Sequence, residues 1–395
     1  MKKVIFGTAL ASMALLSACS SDNELANVET TANNAIGFHV VGNKAETRAT
    51  IVDNNNINGT KFNVFAFTED NKTFMGSTDS GNEGIKISFS GEAESGKWGY
   101  TNPSDLRYWP ETTTPLNFYA VNPGITPIVN GKEMDLSGVC FWEINNTTQK
   151  ITYMCADEHG TSSEEGTGPK HSNIDVMYAI AKGQTQKTNS GTVKFKFKHI
   201  LSQIAFKAKT QNADFVVDIK SIKLHNTING NTFTFPATAE EDPTQSNWGN
   251  TAVAPIGAIT IGMDETKNIT SAGTEVFTKP TLFIPQTLTA WTPSTKTKGE
   301  ADNATPKQSY LEISCKIKHK NFYIFGSETT YSTLFVPFSA DWQPGKRYVY
   351  TLIFGGGYDA QGQAILQPIN FEAETTKWED DINNNGNGND INIDK

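Results

Sequence analysis

The sequence predicts an all-β protein built from two tandem β-sandwiches, on three observations. Short apolar segments of period two recur along the chain, each is bounded by Gly, Pro, Asn or Asp, and long windows of helical period are almost absent. At 395 residues the chain suits two sandwiches better than one. Hydrophobic residues at 37%, with 32 glycines, supply enough apolar material for a sizeable core.

In chain order, the first element is a leader. Met1-Lys2-Lys3 is followed by the apolar run "VIFGTALASMALLSA", too short to span a bilayer comfortably, which ends in Leu16-Ser17-Ala18 before Cys19. This resembles a bacterial lipobox, with residues 1–18 removed and Cys19 acylated, which ties the chain to outer-membrane lipid. In such lipoproteins Ser20 after the cysteine favours outer-membrane sorting, and the acidic "SSDNE" resembles a surface-export tag. A polar stalk leads into "NAIGFHVV" (34–41), a strand alternating Ile36, Phe38 and Val40. The loop "GNKAETRAT" follows, with Arg48 before Ala49. By spacing alone Arg48 reads equally as a protease site or as a solvated linker arginine, and Lys44 is a second basic residue in the same loop.

The strand "TKFNVFAFTED" (60–70) is apolar on both alternating sets, Phe62, Val64, Ala66 and Phe65, Phe67, so both its faces should be covered. "GIKISFSG", "PLNFYAVNP" and "DVMYAIAKG" read as further strands. The turn-rich "KGQTQKTNSG" (182–191) is the expected boundary, giving sandwiches over 49–190 and 191–378. "VKFKFKHILSQIAFKAK" (193–209) alternates Val193, Phe195 and Phe197 with solvated lysines, and its "HILSQIAF" is either a helical turn or a strand corner. Strands continue to "QPINFEAETTKW" (367–378). The Asn-rich tail 379–395 is too polar to order by itself.

Several function classes are excluded. A net charge of −9 with 19% charged residues leaves no basic field for nucleic acid. The six histidines are scattered, with no His-Glu-x-x-His pair, no Gly-x-Ser-x-Gly elbow and no phosphate-cradling loop, so neither an enzyme nor a cofactor is implied. "DINNNG" (381–386) starts like a calcium loop but has Asn392 where the bidentate Glu belongs, so no metal is expected there, and "DEHGTSSEEGTG" (157–168) reads as an acidic surface loop. Cys140 and Cys155 can pair across a hairpin outside the cytoplasm, although three cysteines beyond Cys19 argue against a disulfide framework. Of seven tryptophans, Trp109, Trp342 and Trp378 sit in strand-like segments and read as core. Trp98 and Trp248, beside Gly and Asn, stay open as sugar-stacking platforms.

Taken together, "LRYWPETTTPLNFYAVNP" (106–123), "DVMYAIA" (175–181), "VKFKFKHILSQIAFKAK", "DWQPGKRYVYTLIF" (341–354) and "INFEAETTKW" (369–378) resemble the fimbrillin family, the subunits of type V pili. The resemblance implies transthyretin-like, Greek-key sandwiches and a lipidated propeptide over 19–48. It also implies an arginine-specific protease cutting between Arg48 and Ala49. The strand bearing Ile36, Phe38 and Val40 would then leave, and a strand from a neighbouring fimbrial subunit would fill the groove, carrying the protein from the outer membrane into a fimbrium. Ile369, Phe371 and Ala373 are the candidate donor strand, or else they close the chain's own second sandwich. Stalk, tip and accessory positions stay open; an anchor position requires that Arg48 is not cut. The alternative is a tethered lipoprotein binding a glycan or host ligand.

Overall fold

Lys61–Thr68 is apolar on both faces, and the surroundings that bury both of them organise the first half of the molecule. The computed structural model describes residues 34–41, residues 59–377 apart from 81–82, 92–95, 112, 125–127, 130–131, 134–139, 156–173, 212, 250–255, 263–264, 355–356 and 367–369, and residues 390–391. Lys61–Thr68 lies between Leu116–Asn122 and Ile85–Ser90 in a seven-stranded sheet, whose path runs Lys198–His199, Met177–Gln184, Leu116–Asn122, Lys61–Thr68, Ile85–Ser90, Lys97–Tyr100, all antiparallel.

On one face of this sheet Phe62, Val64 and Phe118 pack with Phe38, Val193 and Phe195, which come from a two-stranded ribbon of Gly37–Val40 and Thr192–Phe195. On the other face Phe65, Tyr119 and Tyr178 meet Ile151, Tyr153 and Phe233. These belong to a three-stranded sheet of Cys140–Ile144, Gln149–Met154 and Gly230–Thr234. The central sheet is thus filled on both sides, which is why its strands are near-continuous apolar runs while Thr192–Phe195 alternates.

The second half encloses another core between a five-stranded sheet and an eight-stranded one. Ser202–Thr210 and Lys346–Phe354 run parallel in the first of these, and Phe215–Ile228 pairs antiparallel with Tyr310–His319 in the second. Ile204, Phe206 and Leu352 face Ile219, Ile222 and Ile313 across the gap. Trp342 is fully buried and donates its indole N–H to the Tyr350 hydroxyl at 2.9 Å.

The all-β class holds, with one α-helix among the described residues, Lys298–Asn303. "HILSQIAF" forms a corner rather than a helical turn. His199 ends a strand of the central sheet, Ile200 and Leu201 bury themselves, and Ser202 opens a strand of the next core. There the buried His199 Nδ1 lies 2.9 Å from the Asp175 carboxylate. The chain crosses back soon after, since Gly230–Thr234 pairs with Gln149–Met154. The sheets therefore do not divide at 190/191: Thr192–Phe195, Lys198–His199 and Gly230–Thr234 all join the sheets of the first half. Short-range turn chemistry marks where a strand ends and says nothing about which sheet the next one enters.

Candidate functional site at the first strand

Gly37–Val40 is four residues long and depends on its surroundings for partners. It runs parallel to Thr192–Phe195, with Gly37 opposite Thr192, Phe38 opposite Val193, His39 opposite Lys194 and Val40 opposite Phe195. Just before it, the chain pairs with a different segment: Ala35 bridges antiparallel to Tyr108. The main chain is held at both ends. The Ile36 N–H donates to the Arg107 carbonyl at 2.9 Å, the Trp109 N–H donates to the Asn34 carbonyl at 2.9 Å, and the Val41 N–H donates to the Phe195 carbonyl at 2.8 Å. The Tyr100 hydroxyl adds a bond to the Ile36 carbonyl at 3.1 Å. None of these depends on which side chains the strand carries.

The inward side chains fill a pocket. Ile36 and Phe38 are buried and Val40 half-buried against the same core. The Phe38 ring stacks on Phe195 at 6.1 Å between centroids and meets Tyr100 at 5.6 Å and Phe118 at 6.4 Å edge-on. Burial of a phenylalanine at such a place is worth about 1.5–3 kcal/mol, and the aromatic contacts add to it. Trp109 closes one end, its indole N–H donating to the Gly191 carbonyl at 3.0 Å. Outward, His39 is half-buried; that burial first, and the neighbouring Lys194 ammonium second, hold its pKa below the ordinary value.

Removal of this strand would leave the Thr192–Phe195 edge, the Arg107 and Phe195 carbonyls, the Trp109 N–H and an apolar pocket without their partners. Such an edge templates another strand. Sequence reasoning found Ile36, Phe38 and Val40 but missed Tyr100, Arg107, Trp109 and Thr192, which make the seat. The alternation in "TVKF" showed a strand, but no local pattern could pair it with one roughly 155 positions upstream.

The other expected sites fall elsewhere. Cys19, Arg48, Ala49, Ile369 and Trp378 lie outside the described residues, as do residues 157–168 and 381–386. Of the candidate donor strand, Phe371 and Ala373 belong to Asn370–Lys377, which pairs along Lys346–Phe354 in the chain's own sheet with Ala373 buried. Cys140 and Cys155 are both free thiols. The hairpin register sets Cys140 opposite Tyr153, and Cys155 falls two residues further on, where its N–H donates to the Asn229 carbonyl at 2.6 Å. Burial pushes both thiols up to about 12. Trp98 and Trp248 are no sugar platforms: Trp98 is packed between Phe62 and Phe89, and Trp248 lies against Phe233 with its indole N–H donating to the Ile200 carbonyl. Among the described residues, no group of three or more His, Cys, Asp or Glu could hold a metal ion.

The model of a family described as fimbrillin-like matches residues 47–378. Fimbrium subunit Fim1C of Phocaeicola vulgatus is 28% identical over 195 residues, covering 47% of this chain and 46% of that protein, so the match spans about half of the relative's length. Among solved structures, a fimbrial protein from Bacteroides vulgatus aligns over 88% of this chain and 100% of its own at 17% identity, with a TM-score of 0.49. The tip fimbrial protein Mfa3 from Porphyromonas gingivalis, truncated at its C-terminus, aligns over 81% of this chain and 94% of its own at 9% identity and a TM-score of 0.36.

Proposed function

The chain belongs to the fimbrillin-like family, and from that premise we propose that it is a structural subunit of a cell-surface fimbria that matures by losing its first strand. The precursor is exported with residues 1–18 as leader, acylated at Cys19 and held at the outer membrane. An arginine-specific protease cuts between Arg48 and Ala49. Residues 34–41 then leave with the lipid, and an extended segment of another fimbrial subunit takes their place, carrying the protein into the fimbrium to support adhesion. A contact of this kind is heterologous and does not close on itself, so repeated along a series of subunits it grows a filament rather than a ring.

The observation that carries the reading is the seat itself. A short segment near the N-terminus, joined to the rest through residues 42–58, supplies two core side chains, Ile36 and Phe38, while its main chain is gripped by groups that any extended segment could satisfy. While it is seated the edge is covered, which keeps the precursor from premature association. Asn370–Lys377 lies in the chain's own sheet, which favours a subunit that accepts a strand at this seat without donating this one, as a tip or accessory position allows.

N-terminal sequencing of protein sheared from the cell surface tests the maturation step; the expected first residue is Ala49. Arg48→Ala is expected to leave acylated Cys19 at the N-terminus and to prevent incorporation into SDS-resistant oligomers. Wild-type surface material still beginning at Cys19 would overturn the proposal.

A further inference from the structure

The first strand opens on a glycine, Gly37, set between two core residues, Ile36 and Phe38, and the seat explains why. Gly37 stands opposite Thr192 in the parallel ladder. A Cβ built on Gly37 would lie 3.0 Å from Thr192 Oγ1 and 3.7 Å from the Thr192 Cα. Threonine is stiff about χ1, so its hydroxyl cannot simply swing clear without bringing its methyl round instead. A glycine inside a strand weakens it unless another group approaches closely, and here one does. Gly37 lies outside the left-handed region, so the glycine serves the close approach and not the backbone angle.

We propose that Thr192 makes the seat selective: it accepts an extended segment in which glycine stands between two large apolar residues, one in the Ile36 place and one in the Phe38 place. Tyr100 sets the register by donating its hydroxyl to the carbonyl of the residue just before that glycine. The donor is a segment of a different subunit. This chain's own candidate, Ile369-Asn370-Phe371, has asparagine where the glycine belongs, and its strand already pairs over residues 370–377 with Lys346–Phe354. The inference rests on the strand-exchange reading above and names the partner of that same seat.

The test uses the full chain with a specific protease site placed at residues 44–48, cut so that the first strand can exchange. Three fluorescein-labelled peptides are offered: residues 34–41, the same peptide with Gly37→Val, and residues 367–378. Anisotropy reads their uptake. The native peptide is expected to bind, and Gly37→Val to bind about tenfold or more weaker, the scale of an overpacked contact. Thr192→Ala in the protein should restore most of that loss while leaving the native peptide little changed. The 367–378 peptide should bind weaker than the native one, and Tyr100→Phe should reduce the preference for the native register over a peptide shifted by two residues. Equal binding of the glycine and valine peptides, or a valine defect that Thr192→Ala does not relieve, overturns the selectivity. Tight binding of the 367–378 peptide overturns the assignment to a different subunit. Failure of the native peptide to exchange at all overturns the strand-exchange reading itself, and the selectivity with it.

Discussion

At the scale of single residues, the seat divides inward from outward side chains. Phe38 is held by three rings and Ile36 by the same core, whereas His39 faces outward beside Lys194 and is only half-buried. Burial and the Lys194 charge both disfavour the imidazolium, so the folded chain binds its proton more weakly than an unfolded chain with the ordinary value of 6.5. A group with a depressed folded pKa contributes stability that is fully present above the unfolded value and is lost as pH falls through the folded one. The first strand should therefore sit less firmly in mildly acidic medium. His39→Gln, neutral throughout, should remove this term: between about pH 7 and about pH 5 the urea midpoint of the wild type should fall relative to that of the variant, and only slightly because the ring is half-solvated. Parallel midpoints would show that His39 contributes nothing to the seat. The core role of Ile36 and Phe38 was legible from alternation alone. That of Trp98 was not: the neighbouring Gly99 suggested exposure, while packing on Phe62 and Phe89 decided the matter.

At the scale of elements, the first strand is kept in place as much by main-chain bonds as by its side chains. Val41 isolates that contribution, because its side chain is exposed and its N–H donates to the Phe195 carbonyl at 2.8 Å. Val41→Pro deletes the donor without emptying the pocket, and proline is tolerated where a strand ends. One hydrogen bond of this kind is worth about 1 kcal/mol, so amide exchange at Ile36 and Trp109, the two neighbouring N–H groups of the seat, should speed up about fivefold. An unchanged rate would mean that the apolar pocket alone holds the strand. Most strands were readable for a simple reason: period two with turn residues at the ends is a local signal, and Lys61–Thr68 shows it on both faces. The helix Lys298–Asn303 was missed although its capping box, Thr297 with Glu300, is written in the sequence. Six residues are too few to show a helical period. Pairing was the other blind spot, because the partner of Gly37–Val40 is set by the closed core rather than by any neighbour in sequence.

At the scale of the whole molecule, the two halves share one thread. After Thr192–Phe195 and Lys198–His199 complete the first half, Ser202–Thr210 and Phe215–Ile228 build the second, and Gly230–Thr234 then returns to cover the first. A cut at the turn-rich 182–191 segment, the boundary that composition suggested, would strip one face of the central sheet of Val193 and Phe195 and the other of Phe233, Phe235 and Trp248, all of them buried. Loss of a single buried phenylalanine or tryptophan typically costs about 3–5 kcal/mol, and a whole domain is stable by only about 5–15 kcal/mol. Several such losses together exceed what the fragment could bear. A chain cut after residue 249 keeps those aromatics but carries Ile204, Phe206, Ile219 and Ile222 with the opposing Ile313 and Leu352 gone. Neither fragment should fold, and residues 34–395 should unfold as one cooperative unit. Amide spectra test this directly: narrow dispersion is expected for residues 34–190 and for residues 34–249, against wide dispersion for 34–395. A well-dispersed spectrum from residues 34–190 would show that the first half stands without the returning strand. Such coupling would bear on the proposed exchange, because Val193 and Phe195, which line the seat, would then depend for their order on strands far along the chain.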